Sequence, residues 1–146
     1  MSQYRFFHPI EVRYGDLDPQ GHVNNAKYLT YFEQTRVAYL IHLGIFNKSQ
    51  SFLEIGIILA DTRVTFLSPV SFGTQACVAA RTTRLGVKSF DMAYSLQDSA
   101  GGQELATCSA VLVTFDYHTQ KTIPIPVEWR KAILEFEDLQ SHEENL

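Results

Sequence analysis

Tyr14-Gly15-Asp16-Leu17-Asp18-Pro19-Gln20-Gly21-His22-Val23-Asn24-Asn25-Ala26-Lys27-Tyr28 gathers carboxylates, a histidine, amides and turn residues directly ahead of a helical pattern. Pro19 biases Asp18 away from helical backbone angles, and Gly21 admits angles that other residues avoid. Asn24 or Asn25 can cap the helix that follows. The loop therefore holds an acid/base group beside free backbone N–H donors. Those two components suit attack on a carbonyl whose oxygen becomes an anion.

Working outward, Tyr28, Leu29, Phe32, Tyr39, Leu40 and Leu43 recur at helical spacing. They predict one long helix from Asn25 to Leu43, with Gly44 as its stop. Upstream, Gln3 to Tyr14 reads as an opening strand interrupted by Pro9. Downstream, after a loop around Asn47 to Phe52, strand-like runs cover Gly56 to Phe66, Thr74 to Leu85, Ser89 to Gln97 and Glu104 to Tyr117. Ser68-Pro69, Phe72-Gly73, Leu85-Gly86 and Asp98-Ser99-Ala100-Gly101-Gly102 punctuate them. The connections leave no room for crossover helices, so consecutive strands are expected to pair as antiparallel neighbours. Val127 to Leu139 forms a short helix after Pro124 and Pro126.

This pattern predicts an α+β fold in which an antiparallel sheet curls around one long helix. Residues 1–140 form a single domain and 141–146 a polar, acidic tail. So small a sheet leaves an edge strand to satisfy, and pairing with a second copy solves that problem. A homodimer or homotetramer is the expected assembly.

At 146 residues, 45% of them hydrophobic, the chain supports a real core and is not of disordered composition. A formal charge of -4 offers no general attraction to nucleic acid or anionic membranes. The N-terminus lacks the apolar run of a signal peptide and no stretch is long enough to span a bilayer, so a cytoplasmic protein without membrane insertion is expected. Cys77 and Cys108 have neither metal-ligand nor redox spacing, which makes reduced thiols the simplest reading while leaving a single disulfide open. HExxH spacing, a glycine-rich phosphate loop and a nucleophile elbow are all lacking from the sequence.

The Tyr14 to Tyr28 stretch resembles the signature of hotdog-fold acyl-CoA thioesterases of the 4-hydroxybenzoyl-CoA thioesterase type. Arg63-Val64-Thr65-Phe66-Leu67-Ser68-Pro69-Val70-Ser71-Phe72-Gly73-Thr74 is similar to that family's second strand and turn, and Val87-Lys88-Ser89-Phe90 to its later hairpin. His22-Val23-Asn24-Asn25 is also similar to long-chain acyl thioesterases, including plant acyl-carrier-protein enzymes. The resemblance implies that Asp18 is catalytic, as nucleophile or general base, and that a backbone N–H near Asn25 stabilises the oxyanion. It implies no metal and no cofactor, coenzyme A entering only as part of the substrate.

The remaining site residues carry two readings each. Asp16, two residues before Asp18, shares a face with it if the segment is extended, or serves as a loop hydrogen-bond acceptor. His22 orients water or the thioester, or is structural. Asn24 and Asn25 act through capping and backbone more than through their amides. Glu33 faces the same cleft or solvent, and Tyr28 and Phe32 belong to core, pocket or both. Arg81, Arg84 and Lys88, with Ser89, either meet coenzyme A phosphates or form a solvated hairpin edge.

The expected activity is hydrolysis of an acyl thioester, carried by coenzyme A or an acyl-carrier protein, to a carboxylic acid and free thiol. Two rivals differ in class. A hotdog hydratase or dehydratase would need His22 with Glu33, and a non-catalytic acyl-ligand binding module would keep the fold without turnover.

Overall fold

The computed structural model describes residues 3–51, 53 and 56–139. The tail 141–146, and Phe52 of the loop before the second strand, lie outside the described residues. Strand β1 spans Phe6–Ile10 and helix α1 spans Asn25–His42. Strands β2 to β6 span Ile57–Phe66, Ala76–Leu85, Ser89–Asp98, Glu104–Asp116 and Lys121–Thr122, and helix α2 covers Val127–Glu137.

The main sheet runs β1-β3-β4-β5-β2, antiparallel throughout, with β6 paired to β5. One expectation fails here: β2 and β3 are consecutive in sequence but not neighbours in the sheet. The nine residues 67–75 between them are not a hairpin. They cross the end of the sheet, held by Leu67 and Ser68 N–H groups donating to the Leu105 carbonyl at 2.9 and 3.1 Å. Val70 in this crossing is fully buried. β1 fills the place beside β3 instead, and Pro9 fits there because an edge strand tolerates a missing N–H.

α1 packs over β1 and β3 on one face of the sheet. Tyr28, Tyr31, Phe32, Thr35, Tyr39 and Leu40 are buried on the helix, while Leu29 stands exposed. Alternate residues Phe90, Met92, Tyr94 and Leu96 of β4 meet this face, with the Phe32 and Tyr94 rings 5.4 Å apart. α2 closes the far corner. Glu137 Oε2 accepts from the Thr82 N–H at 2.5 Å and the Tyr39 hydroxyl at 2.9 Å, next to the bulge between Thr82 and Arg84. Cys77 and Cys108 are both unpaired: Cys108 is buried under α1, and Cys77 is half-buried on the opposite face of the sheet.

Two ends of the sheet matter for function. At one, Phe66 pairs with Ala106, and the crossing that holds Val70 begins. At the other, Ile57 pairs with Thr114, close to the Leu85–Ser89 hairpin.

Candidate active site

The loop ahead of α1 is built around two aspartates with different tasks. Tyr14–Asp16 is a 3-10 turn, not an extended segment, so Asp16 turns inward and the two carboxylates do not share a face. Asp16 is 2% exposed. Its carboxylate accepts the Arg13 N–H at 3.0 Å and the Tyr31 hydroxyl at 2.8 Å, with the Arg13 guanidinium at 3.7 Å. Burial alone would raise its pKa, but these hydrogen bonds and the Arg13 and Lys27 charges hold it below the usual carboxylate range. Asp16 is the loop's anchor, and its carbonyl also accepts the Asn24 N–H at 2.8 Å.

Asp18 is half-buried and faces outward from the same loop. Its Oδ1 accepts from the backbone N–H groups of Gln20 and His22 at 2.9 and 3.1 Å. Its own N–H donates to the His22 carbonyl at 2.7 Å, and Gly21, at φ +81°, closes the turn by donating to the Asp18 carbonyl. One carboxylate oxygen is thus fixed. The other, Oδ2, accepts from no group among the described residues, so the carboxylate is oriented with an oxygen left available.

The loop is stitched to the crossing between β2 and β3. Val23 N–H donates to the Val70 carbonyl at 2.8 Å, and His22 bridges Ser71. The His22 side chain is exposed and contributes through its backbone. Asn24 is the cap of α1: its Oδ1 accepts the Ala26 N–H and its carbonyl the Lys27 N–H, each at 2.9 Å. The Asn25 N–H, first of the helix, meets no acceptor among the described residues. An unpaired N–H at a helix start carries the positive end of the peptide dipoles, which suits a developing anion.

Tyr28 stands under this loop. It is buried, its ring edge meets Phe66 at 4.8 Å between centroids, and burial followed by the nearby Asp18 charge pushes its hydroxyl pKa up. Glu33 lies exposed further along α1. Leu29, Phe66, Leu67 and Phe72 form exposed apolar surface around the same end of the sheet.

The basic hairpin is elsewhere. β3 carries the chain from the loop end at Ala76 to Arg84, about 26 Å at 3.3 Å per residue, so Arg84, Lys88 and Ser89 lie at the opposite end from Asp18. Arg84 directs both its Nε and Nη2 at Asp91, at 3.0 and 3.2 Å, and Arg81 lies over the Tyr4 ring. Lys88 is exposed and Ser89 half-buried. A recess of about 280 Å³, walled by Leu53, Gly56, Phe115, Tyr117 and Trp129, also belongs to that far end. Sequence reasoning missed the Tyr31 contact and the Val70–Ser71 support. Both depend on residues brought to the loop by the helix and the crossing, at separations no local pattern encodes.

This geometry agrees with what the chain is similar to. Residues 12–135 match the family described as the Thioesterase-like superfamily. A thioesterase from Thermus thermophilus, solved in complex with coenzyme A and Zn, superposes with a TM-score of 0.82 at 29% identity, covering 96% of this chain and 99% of that one. The long-chain acyl-CoA thioesterase FadM of Escherichia coli (strain K12) is 25% identical over 85% of this chain and 93% of its own. YsmA of Bacillus subtilis (strain 168), an uncharacterized protein, is 23% identical over 91% of this chain and 88% of its own. With the matched region spanning the loop, α1 and the whole sheet after β1, the chain belongs to the Thioesterase-like superfamily and has the hotdog fold.

Proposed function

We propose that this protein hydrolyses acyl-CoA thioesters to a carboxylic acid and free coenzyme A, with Asp18 and the Asn25 N–H as its catalytic pair. The observation that carries this reading is the paired availability of Asp18 Oδ2 and the Asn25 N–H at the two ends of one closed loop. Coenzyme A in the Thermus structure and the acyl-CoA activity in the name of FadM support the choice of carrier.

Asp18 Oδ2 takes a proton from water while the water oxygen bonds the thioester carbonyl carbon. The carbonyl π electrons move onto its oxygen, which accepts the Asn25 N–H. Collapse re-forms the C=O bond, breaks C–S, and the thiolate leaves with the proton held by Asp18. In the nucleophilic variant Asp18 Oδ2 bonds the carbon itself, and water then hydrolyses the mixed anhydride. When that water adds to the Asp18 carbonyl carbon, one turnover in ¹⁸O-water labels Asp18, which the first route never does. Neither route calls on a metal or cofactor.

Asp16, Asn24 and the His22 backbone hold this pair in place. Tyr28 lines the acyl side, and Glu33 has no step assigned. Because β3 carries the chain about 26 Å from Ala76 to Arg84, we assign Arg84, Lys88 and Ser89 to the coenzyme A phosphates of a second copy's site. β2 is ladder-paired on one side, to β5, which leaves its other edge for that copy. An antiparallel pairing centred on Thr62 sets Asp61 opposite Arg63 of the second copy, and the reverse.

The test is thiol release over short, medium, long and aromatic acyl-CoAs and matching acyl-carrier-protein thioesters. Asp18→Ala and Asp18→Asn are each expected to lose at least about 10²-fold in kcat. Wild-type rates in Asp18→Ala overturn the mechanism, and silence of the wild type on every thioester overturns the activity in favour of an acyl-binding module.

A further inference from the structure

Arg36 is a half-buried guanidinium that has no carboxylate within ion-pair distance among the described residues. Its Nε donates to the Tyr94 hydroxyl at 2.8 Å, and its head lies 5.6 Å over the Tyr94 ring. Tyr94 is itself fixed, being 1% exposed and donating to Met92 Sδ at 3.4 Å. The two terminal nitrogens of Arg36 meet no acceptor among the described residues, and neither is sealed from solvent. Arg84, by contrast, directs its Nε and Nη2 at Asp91. A positive charge held rigidly and partly out of water, with its two-nitrogen edge free, fits an incoming carboxylate.

Its position links it to the proposed catalytic pair. Arg36 comes eleven residues after Asn25, about three turns, and so returns to the same face of α1 about 16 Å from the helix start. Two rails connect the ends. On α1, Tyr28 to Arg36 spans about 12 Å, and on β2, Phe66 to Thr62 spans about 13 Å. The rails touch at the loop end. There Tyr28 and Phe66 meet ring to ring at 4.8 Å, while at the other end Thr62 Oγ1 lies 3.3 Å from Cys108 Sγ of β5. Along them lie half-buried Val64, exposed Leu29 and, one turn before Arg36, the exposed Glu33 carboxylate. Apolar side chains of both elements therefore stand between the loop and the Arg36 cation.

We infer that Arg36 is the receptor for a carboxylate at the far end of an extended acyl group, so that medium-length dicarboxylic acyl thioesters are the preferred substrates. The inference rests on the thioesterase reading for its catalytic end. The carboxylate end stands on the Arg36 geometry alone.

Two measurements separate the readings. In thiol release, wild type is expected to favour dodecanedioyl-CoA over dodecanoyl-CoA in kcat/KM by about ten- to a hundredfold, the usual worth of a charged hydrogen-bonded contact. Arg36→Met abolishes that preference, and Arg36→Lys restores part of it. In calorimetry, free dodecanedioate is expected to bind wild type more tightly than dodecanoate by a similar factor, and Arg36→Met to bind the two alike. If no thiol is released from either thioester but the Arg36-dependent preference for dodecanedioate persists, the hydrolase reading falls and the receptor stands. Equal handling of diacid and monoacid by wild type in both measurements overturns the receptor. If wild type shows no diacid preference and Arg36→Met turns an oligomer into a monomer in sedimentation, the carboxylate belongs to a second copy, and the receptor is again overturned.

Discussion

The Tyr31 hydroxyl donates to Asp16 Oδ2 at 2.8 Å, tying the first half of α1 to the loop that precedes it across fifteen residues of sequence. The contact is buried on both sides and leaves Asp18, two residues on, free to face outward. It makes the loop part of the core at one point and a reactive surface at the next.

Removing that hydroxyl exposes the dependence. Tyr31→Phe is expected to cost about 1–3 kcal/mol, because a buried carboxylate loses a donor with no water to replace it. Urea unfolding at neutral pH reads the loss. An unchanged midpoint would mean that Asp16 is held adequately by the Arg13 N–H alone.

The same carboxylate sets an acid limit on stability. Its folded pKa is depressed, so its contribution is fully present above the unfolded aspartate value of about 3.9 and is lost as pH falls through the folded value. Wild-type stability should therefore fall more steeply than that of Asp16→Asn as pH drops below about 4. Parallel curves from denaturant melts at several pH values would remove Asp16 from that role.

Asn24 should matter to both stability and turnover. Asn24→Ala removes the acceptor for the Ala26 N–H and is expected to cost about 1 kcal/mol, with Asn24→Gly costing only a few tenths. In the proposed mechanism the frayed helix start also misplaces the Asn25 N–H, so kcat should fall in Asn24→Ala while KM changes little. A KM-only effect would separate the cap from the oxyanion donor.

Gly56 is required by its backbone. It sits at φ +64°, and a Cβ there would lie 2.8 Å from the Phe115 carbonyl oxygen, while its own carbonyl accepts the Phe115 N–H at 2.7 Å. Gly56→Ala is expected to destabilise by about 1–2 kcal/mol through the combined strain and displacement. Thermal unfolding checks it, and faster amide exchange at Ile57 and Ile58 should mark a loosened start of β2.

The proposed pairing of β2 with a second copy is open to a charge reversal. Asp61→Arg and Arg63→Asp should each weaken association in sedimentation, since each places like charges opposite one another. The double variant restores the pairing. Association indifferent to all three variants would move the interface away from β2.

Much of this architecture was legible in residue order because its signals are local. Helical recurrence from Tyr28 to Leu43 and period-two runs split by Leu85-Gly86 and Asp98-Ser99-Ala100-Gly101-Gly102 recover α1 and β2 to β5 within a residue or two at most ends. The strand order was not legible. Whether β2 folds back on β3 or crosses to β5 depends on where Val70 and Leu67 find burial and carbonyl partners, which are long-range contacts.

The site divides along the same line. Residue order alone places Asp18 in a turn before a capped helix, because proline, glycine and asparagine impose those angles on their immediate neighbours. Folding in three dimensions buries Asp16 under Tyr31, gives Arg84 to Asp91 far from the loop, and leaves Arg36 on Tyr94 with no carboxylate at ion-pair distance among the described residues. Backbone preferences act over a few residues, whereas the burial and partnering of a charge depend on whatever the fold brings alongside it.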